Sequence, residues 1–193
     1  MKKGGYILYF RHANRDKWPE AGAFDAYELT SKIQDATQTS FKRAVCLSDQ
    51  GVEEAKLIGK IFELTNIPTG IIVSSPSCRA KQTATYAFGK IDFVDNSVLS
   101  HGILSAKVFP DYVAQLRALL LNVEIKPGTN TVFTGHSATL ERNKGLAIDG
   151  EILTLDETGF YIIERKGNDK LAVVYSIKSI GQLSANAVDL PLK

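Results

Sequence analysis

The sequence predicts an α/β protein built on a mainly parallel sheet that helices cover on both faces. Apolar runs of strand length alternate along the chain with amphipathic segments of helical period, which indicates repeated strand and helix units. Short polar segments follow three of the predicted strands directly, at residues 11–12, 74–79 and 135–136. Because the carboxyl ends of parallel strands meet at one edge of a sheet, we expect these segments to converge there as a ligand site.

Three apolar runs predict the central strands. Residues 6–10 form a continuous apolar and aromatic run, residues 70–74 are rich in β-branched side chains, and residues 131–134 precede a Gly-His pair. Continuous apolar runs of this length are typical of strands buried on both faces. Residues 91–94 predict a further, short strand.

Apolar residues that recur three and four positions apart predict three helices. Ser48 and Asp49 favour a helix start, and Pro68 ends the pattern that follows. Ser75 is expected to cap the next helix with Pro76 in its first turn, where proline fits without losing a hydrogen bond. The predicted helices lie between Ser48 and Pro68, between Ser75 and Gly89, and between Pro110 and Pro127.

The last part of the chain predicts additional strands at one edge of the sheet. Residues 151–155, 160–164 and 171–175 are apolar runs of strand length. The segment Gly-Asn-Asp at 167–169 separates the last two runs and is typical of a hairpin turn. We therefore expect a hairpin on that edge, with residues 151–155 as a further strand.

The length predicts a single domain, residues 1–193, because most domains have about 100–200 residues. No repeat, low-complexity tract or linker divides the chain. Residues 13–46 have weak periodicity and predict a long excursion near the site. The aromatic residues of this excursion, from Trp18 to Phe41, form either a wall of the substrate site or a small core of their own.

The charge balance argues against nucleic acid and membranes as partners. Lys and Arg number 23 against 21 Asp and Glu, so the formal net charge is only +2. The longest apolar run is far shorter than the roughly 20 residues of a membrane-spanning helix. The apolar segment near the start is too short for a secretory leader, so the cytoplasm is the default expectation, although secretion stays open if a leader has been removed.

The sequence has two cysteines, Cys46 and Cys78. They form no CxxC pair and no Cys/His spacing of a metal site. We expect two free thiols rather than a disulfide, and Cys78 as an inert packed residue beside Arg79.

The three converging segments predict a phosphate site. Arg11, His12, Arg79 and His136 would supply two guanidinium groups and two imidazoles. Guanidinium forks match phosphate oxygens in pairs, whereas two arginines would repel a metal cation. A neutral imidazole can attack phosphorus directly, and fixed positive charge stabilises the transferring phosphoryl group. The set therefore indicates phosphoryl transfer through a phosphohistidine, with no metal or other cofactor.

Four segments resemble those of the histidine phosphatase superfamily, also called phosphoglycerate mutase-like. The segment YILYFRHANR at 6–15 is similar to the opening strand that ends in Arg-His-Gly or Arg-His-Ala. The segment LSDQG at 47–51, with Glu54 and Ala55 after it, resembles the family's helix start Leu-Thr-x-x-Gly-x-x-Gln-Ala. The segment VSSPSCRAKQTA at 73–84 resembles Ser-Ser-Pro-x-x-Arg-Ala-x-Gln-Thr-Ala, and FTGHS at 133–137 resembles the late Gly-His motif. The four segments occur in the family's order.

The resemblance implies an α/β/α sandwich and a phosphatase that needs no metal. It implies that His12 is the phosphorylated nucleophile and that Arg11, Arg79 and His136 hold the phosphate. Arg15 stands near the positions where family members place further phosphate-contacting residues. The expected substrate is a phosphorylated small molecule or a phosphoprotein, with inorganic phosphate as product.

The proton donor is the main departure from the family pattern. Many members carry Leu-x-Glu after the arginine helix, whereas this chain has Leu-Ser-His, which ends at His101. Either His101 replaces the glutamate, or the enzyme has no dedicated acid there and uses substrates with good leaving groups. Asp16, Glu20 and Asp111 are further candidates that the sequence does not rank.

The missing glutamate leaves two alternatives to a phosphomonoester phosphatase. One is a non-catalytic module of the same fold that binds phosphate or acts as a scaffold. The other is a protein phosphohistidine phosphatase, which would need an open pocket, whereas the excursion at 13–46 predicts partial cover.

Overall fold

A seven-stranded sheet lies at the centre of the computed structural model, which describes residues 1–17, 44–98, 111–136, 146–167 and 169–182. Three helices of eleven or more residues pack on this sheet within the described ranges. The strands are β1 (Ile7–Arg11), β2 (Thr69–Ser74), β3 (Phe93–Val94), β4 (Asn130–Gly135), β5 (Ile148–Asp149), β6 (Phe160–Lys166) and β7 (Lys170–Ile177), and the helices are α1 (Asp49–Leu64), α2 (Cys78–Phe88) and α3 (Tyr112–Asn122).

The strand order is β3-β2-β4-β1-β6-β7-β5. Strands β1 to β4 pair in parallel, whereas β6 runs antiparallel to both β1 and β7. The register places Arg11 beside Gly135 and Ser74 beside Thr134, so β1, β2 and β4 end at the same edge. The predicted mainly parallel sheet, with a late hairpin added on one side, is confirmed.

The two faces of the sheet have separate apolar cores. On one face, Phe10 of β1 packs with Ile58 of α1 and Ala84 of α2. On the other face, Tyr9 of β1 packs with Leu116 of α3. Each large apolar side chain that is fully buried contributes roughly 1.5–3 kcal/mol of transfer free energy. Helices therefore cover both faces, as the predicted three-layer α/β/α sandwich requires.

The helix starts show one correct and one wrong prediction. Ser48 caps α1 as expected, because its Oγ accepts a hydrogen bond from the Gly51 amide at 3.1 Å. Helix α2 begins two residues later than predicted, with Ser77 at the cap position instead of Ser75. Ser75 is still held by the sheet, since its amide donates to the Thr134 carbonyl at 2.9 Å.

The predicted strand at residues 151–155 is wrong. A short strand, β5, occurs just before it and ends ahead of Gly150, whose φ of +101° breaks the extended path. Side chains then take the carbonyls that a strand would offer to a neighbour. The Leu153 carbonyl accepts from Tyr161 Oη and the Leu155 carbonyl accepts from Arg11 Nη1, both at 2.6 Å.

The expectation of free thiols is also wrong, because Cys46 and Cys78 form a disulfide. The two residues are 32 positions apart, and no local motif signals their pairing. The fold brings them together because α1 carries the chain away from Cys46 and β2 returns it to the start of α2, where Cys78 lies. Their Cα atoms are 4.8 Å apart, within the normal range for a disulfide.

Most of the predicted excursion at 13–46, including Trp18 and Phe41, lies outside the described residues. In the described part of the chain, no helix has the length and apolar character needed to cross a membrane.

Candidate active site

His12 lies directly after β1 and is fixed through its backbone by two neighbouring elements. Its amide donates to the Gly135 carbonyl of β4 at 2.9 Å, and its carbonyl accepts from the Thr158 amide at 3.1 Å. The next amide, that of Ala13, donates to Thr83 Oγ1 of α2 at 3.0 Å. The side chain of His12 is therefore presented from a rigid turn, and the residue is only 3% exposed.

The ring of His12 has an identifiable tautomer. Its Nδ1 lies 2.8 Å from the Ala13 carbonyl oxygen. A carbonyl oxygen can only accept, so the hydrogen bond places the proton of the neutral ring on Nδ1. The lone pair of the ring is then on Nε2.

The surroundings of His12 favour this neutral form. Burial holds the pKa of His12 well below its usual range, and the positive charge of Arg79 lowers this pKa further. Arg11 and Arg15 act in the same direction, whereas the hydrogen bond to Ala13 acts against them. At neutral pH the imidazole is therefore uncharged.

Arg79 and His136 lie together beside His12. Arg79 is the second residue of α2 and is 2% exposed, and His136 directly follows β4. Arg79 Nη2 is 3.5 Å from His136 Nδ1, and the rings of His12 and His136 have centroids 5.3 Å apart. Because a guanidinium only donates, His136 Nδ1 accepts in this contact. The structure thus brings together three of the residues predicted from separate segments.

Two serines that the sequence analysis did not assign to the site hold His136 from its other side. Ser75 Oγ lies 3.2 Å and Ser77 Oγ lies 3.3 Å from His136 Nε2. With Nδ1 accepting from Arg79, the neutral ring carries its proton on Nε2 and donates it to these hydroxyls. Ser77 makes no side-chain cap bond to α2, which leaves its hydroxyl for His136. Ser75 is the second serine of the Ser-Ser-Pro-x-x-Arg motif and Ser77 occupies its first variable position, and the motif gives no sign of this contact.

Arg11 is held by the turn that precedes β6. Its Nη1 donates to the Leu155 carbonyl, and its Nη2 is 3.8 Å from Glu157 Oε1. Burial raises the pKa of Glu157, and the charge of Arg11 opposes this rise. Sequence reasoning missed Glu157, which lies in no recognised motif and is far from Arg11 along the chain.

Asn14 connects this turn to the start of α1. Its Nδ2 donates to Glu157 Oε2 at 3.0 Å, and its Oδ1 accepts from Ser48 Oγ at 2.9 Å. Gly51 allows the close approach, because a Cβ there would lie 1.9 Å from the Asn14 carbonyl oxygen. The loop that carries His12 is thus fastened to α1 as well as to α2.

The remaining predicted site residues differ in what the structure describes. Arg15 donates to the Asp16 carbonyl at 3.3 Å and is near enough to His12 to lower its pKa. His101 and Glu20 lie outside the described residues. Asp111 is exposed at the start of α3. Among the described side chains, no group of three or more His, Cys, Asp or Glu residues could hold a metal ion.

No protein-family model and no curated protein match this sequence. Solved structures do match its fold. The protein histidine phosphatase SixA in complex with tungstate has a TM-score of 0.59 and 15% identity, over 91% of this chain and 98% of that one. A mycobacterial glucosyl-3-phosphoglycerate phosphatase in complex with VO3 has a TM-score of 0.57 and 14% identity, over 90% and 98%. A phosphoserine phosphatase from Entamoeba histolytica in complex with 3-phosphoglyceric acid has a TM-score of 0.56 and 15% identity, over 90% of this chain and 97% of that one.

Proposed function

We propose that this chain, which has the fold of the histidine phosphatase superfamily, is a phosphatase that hydrolyses phosphomonoesters through a phosphohistidine at His12. The observation that carries the proposal is the state of His12. Its ring is buried, its Nδ1 is bonded to the Ala13 carbonyl, and Arg79 lies close enough to lower its pKa. This arrangement keeps a nucleophilic Nε2 beside fixed positive charge.

The first step transfers the phosphoryl group to His12. Nε2 attacks phosphorus, the new N–P bond forms, and the bond from phosphorus to the ester oxygen breaks with both electrons leaving on that oxygen. Arg11 and Arg79 donate to the non-bridging oxygens, where the negative charge is spread in the transition state, and His136 donates its Nε2 proton to one of them in place of the serine hydroxyls. The guanidinium groups supply this positive charge, so the step requires no metal.

The second step returns the enzyme to its starting state. A water molecule attacks phosphorus, the N–P bond breaks, and its electrons return to His12 Nε2. The protons of the water stay on the released phosphate or pass to solvent. The products are inorganic phosphate and the neutral imidazole, whose proton stays on Nδ1 against the Ala13 carbonyl. The hydrogen bond to Ala13 therefore serves the same purpose in both steps, since it fixes which nitrogen reacts.

The substrate class depends on how the leaving oxygen obtains a proton. Alkyl phosphates require a general acid, which contributes a roughly hundred- to ten-thousandfold rate increase, whereas aryl phosphates and phosphohistidine depart without one. We keep a protein phosphohistidine as the second candidate substrate because SixA, one of the structures similar to this chain, is a protein histidine phosphatase. A non-catalytic module would bind phosphate without turnover.

The proposal is tested with an aryl phosphate substrate in the presence of a metal chelator. We expect wild-type activity to persist with chelator and the His12→Ala variant to lose at least about a thousandfold in kcat. Glu53→Ala, a change at an exposed position on α1, is the control and should retain activity. Unchanged activity in His12→Ala would refute the proposal.

A leaving-group series then identifies the role of His101. If His101 is the donor, His101→Ala lowers kcat/KM for an alkyl phosphate by a factor of about a hundred or more and leaves an aryl phosphate unaffected. If His101 is not the donor, both substrates are unaffected by the variant. A wild type that also prefers aryl phosphate or phosphohistidine then has no dedicated acid, whereas efficient hydrolysis of the alkyl phosphate indicates another donor.

A further inference from the structure

The Cys46–Cys78 disulfide joins the two segments that meet at the buried guanidinium of the phosphate site. Cys46 directly follows Val45, and Cys78 directly precedes Arg79. Arg79 Nη1 donates to the Val45 carbonyl in a long hydrogen bond of 3.5 Å. The disulfide and the hydrogen bond therefore connect the same two segments, and on each segment their residues are adjacent in sequence.

The two segments are distant along the chain, since α1 and β2 lie between them. Val45 is buried, with 2% of its surface exposed, and it packs with Cys78 at the start of α2. A second tether exists close by, because the Leu47 amide donates to Gln82 Oε1 at 2.7 Å. The disulfide is nearer along the chain to the contact between Val45 and Arg79, because each cysteine is one residue away from it. Leu47 and Gln82 are two and three residues away.

The guanidinium of Arg79 joins Val45 to His136. Its Nη2 reaches His136 at 3.5 Å while its Nη1 reaches Val45 at the same distance. A planar guanidinium presents its donors in a fixed fork, so a change at one contact turns the whole group. Movement of the Val45 carbonyl would thus alter the direction of the donors that face His136 and the phosphate.

We propose that the Cys46–Cys78 disulfide is a positioning element of the phosphate site. It holds the Val45 carbonyl against Arg79 and thereby keeps the guanidinium aligned with His136. This inference rests on the proposed function, because it assigns a purpose to the disulfide only through a phosphate bound at Arg79. It makes phosphate affinity depend on the oxidation state of two cysteines.

The bond can be opened without removing any side chain. A dithiol such as dithiothreitol attacks one sulfur through its thiolate, forms a mixed disulfide, and closes on itself as a cyclic disulfide. Cys46 and Cys78 each gain a proton, and the dithiol loses the two electrons that they take up. Both cysteines are partly exposed, so a small reductant can reach them.

Reduction should loosen the segment locally and leave the protein folded. The Leu47–Gln82 hydrogen bond remains, and so does the bond from the Ser48 amide to the Asn14 carbonyl at 3.1 Å. The sheet and its two apolar cores contain neither cysteine. We therefore expect a change in phosphate binding at a temperature where circular dichroism shows no unfolding.

The test measures the Kd of inorganic phosphate by calorimetry and the KM of an aryl phosphate, for oxidised and reduced wild type. We expect both constants to rise at least about fivefold on reduction. The Cys46→Ala/Cys78→Ala double variant should match the reduced protein and should not respond to dithiothreitol. Constants within twofold of the oxidised values, with two free thiols titrated and the fold intact, would overturn the inference.

Arg79→Lys separates a positioning role from a general structural one. If the disulfide acts through the guanidinium, reduction of Arg79→Lys changes the phosphate Kd much less than reduction of the wild type does. Equal changes in the two proteins would contradict the inference. If the protein hydrolyses the aryl phosphate and its KM is the same before and after reduction, the inference is refuted and the proposed function stands. If the phosphate Kd changes on reduction but the protein hydrolyses nothing, the proposed function alone is refuted.

Discussion

The Nδ1 nitrogen of His12 lies 2.8 Å from the carbonyl oxygen of Ala13, the residue that follows it in the chain. The contact is local, yet it depends on distant elements, because the Ala13 amide is held by Thr83 of α2. It determines which ring nitrogen carries the proton and which one carries the lone pair. The chemical behaviour of the site therefore follows from the way one peptide unit is fixed between β1 and α2.

We predict that His12 stays neutral well into the acidic range. Burial and the neighbouring arginines hold its pKa below the ordinary value of 6.5, so the folded protein should show no titration of this ring at pH 6.5. Nuclear magnetic resonance of histidine-labelled protein measures this directly, with His12→Ala used to assign the signal. A midpoint at or above 6.5 would contradict the predicted environment.

The same shift predicts how stability changes with pH. The unfolded chain protonates His12 near pH 6.5, whereas the folded protein does not. The contribution of His12 to the free energy of unfolding is therefore fully present above pH 6.5. It declines as the pH falls toward the lower pKa of His12 in the folded state. The Arg79→Gln variant lacks one of the positive charges that lower the pKa of His12. The titration midpoint of His12 should therefore move to a higher pH in this variant.

Thr83→Val should impair catalysis with little change in side-chain volume. The variant leaves the Ala13 amide without its Thr83 Oγ1 acceptor, and an unsatisfied buried donor costs about 1–3 kcal/mol. We expect kcat/KM for an aryl phosphate to fall about ten- to hundredfold, because the His12 turn relaxes. Thr83→Ser restores the hydroxyl and should stay within about threefold of the wild type; equal activity of the Val and Ser variants would argue against this role.

The hydroxyls of Ser75 and Ser77 should act as alternatives for each other. Both lie near His136 Nε2, at 3.2 and 3.3 Å, so either one can orient the ring when the other is absent. We expect each single alanine variant to lower kcat/KM by less than about twofold and the double variant to lower it by about ten- to hundredfold, which is more than the product of the single effects. Single effects that simply multiply to the double effect would show that the two serines act independently.

Glu157→Gln should stabilise the protein at neutral pH. Burial raises the pKa of Glu157 despite the nearby Arg11, so its ionisation costs stability as the pH rises from 4.5 through the higher folded pKa. The glutamine variant avoids this cost and should have a higher Tm than the wild type at pH 7 and an equal Tm at pH 4. Thermal unfolding at both pH values measures the difference, with the exposed Glu53→Gln as control.

A lower Tm of Glu157→Gln at pH 7 would show the opposite balance. In that case the attraction between Glu157 and Arg11, whose atoms are 3.8 Å apart, would exceed the cost of burying the carboxylate.

The central fold was predictable from the sequence because its signals are local. The apolar run before His12 and the β-branched run before Ser75 each predict a buried strand, and the parallel order follows from the helices between them. Strand ends at one edge then bring His12, Arg79 and His136 together. The late hairpin was predictable for the same reason, since its two strands are adjacent in sequence.

Features that depend on distant pairing were not predictable. Nothing near Cys46 indicates Cys78, and nothing near Arg11 indicates Glu157, because both contacts form only when the sheet is assembled. The strand predicted at 151–155 failed because Tyr161 and Arg11 take its carbonyls. The role of His101 and the single-domain organisation of residues 1–193 stay predictions.

The most direct test of the central claim is to trap the phosphorylated enzyme. The protein is mixed with an aryl phosphate, quenched within the first turnover, digested and sequenced by mass spectrometry. We predict one acid-labile phosphoryl group, on His12, and its absence in His12→Ala. A phosphoryl group on another residue, or rapid hydrolysis with no phosphoenzyme at any quench time, would contradict the account.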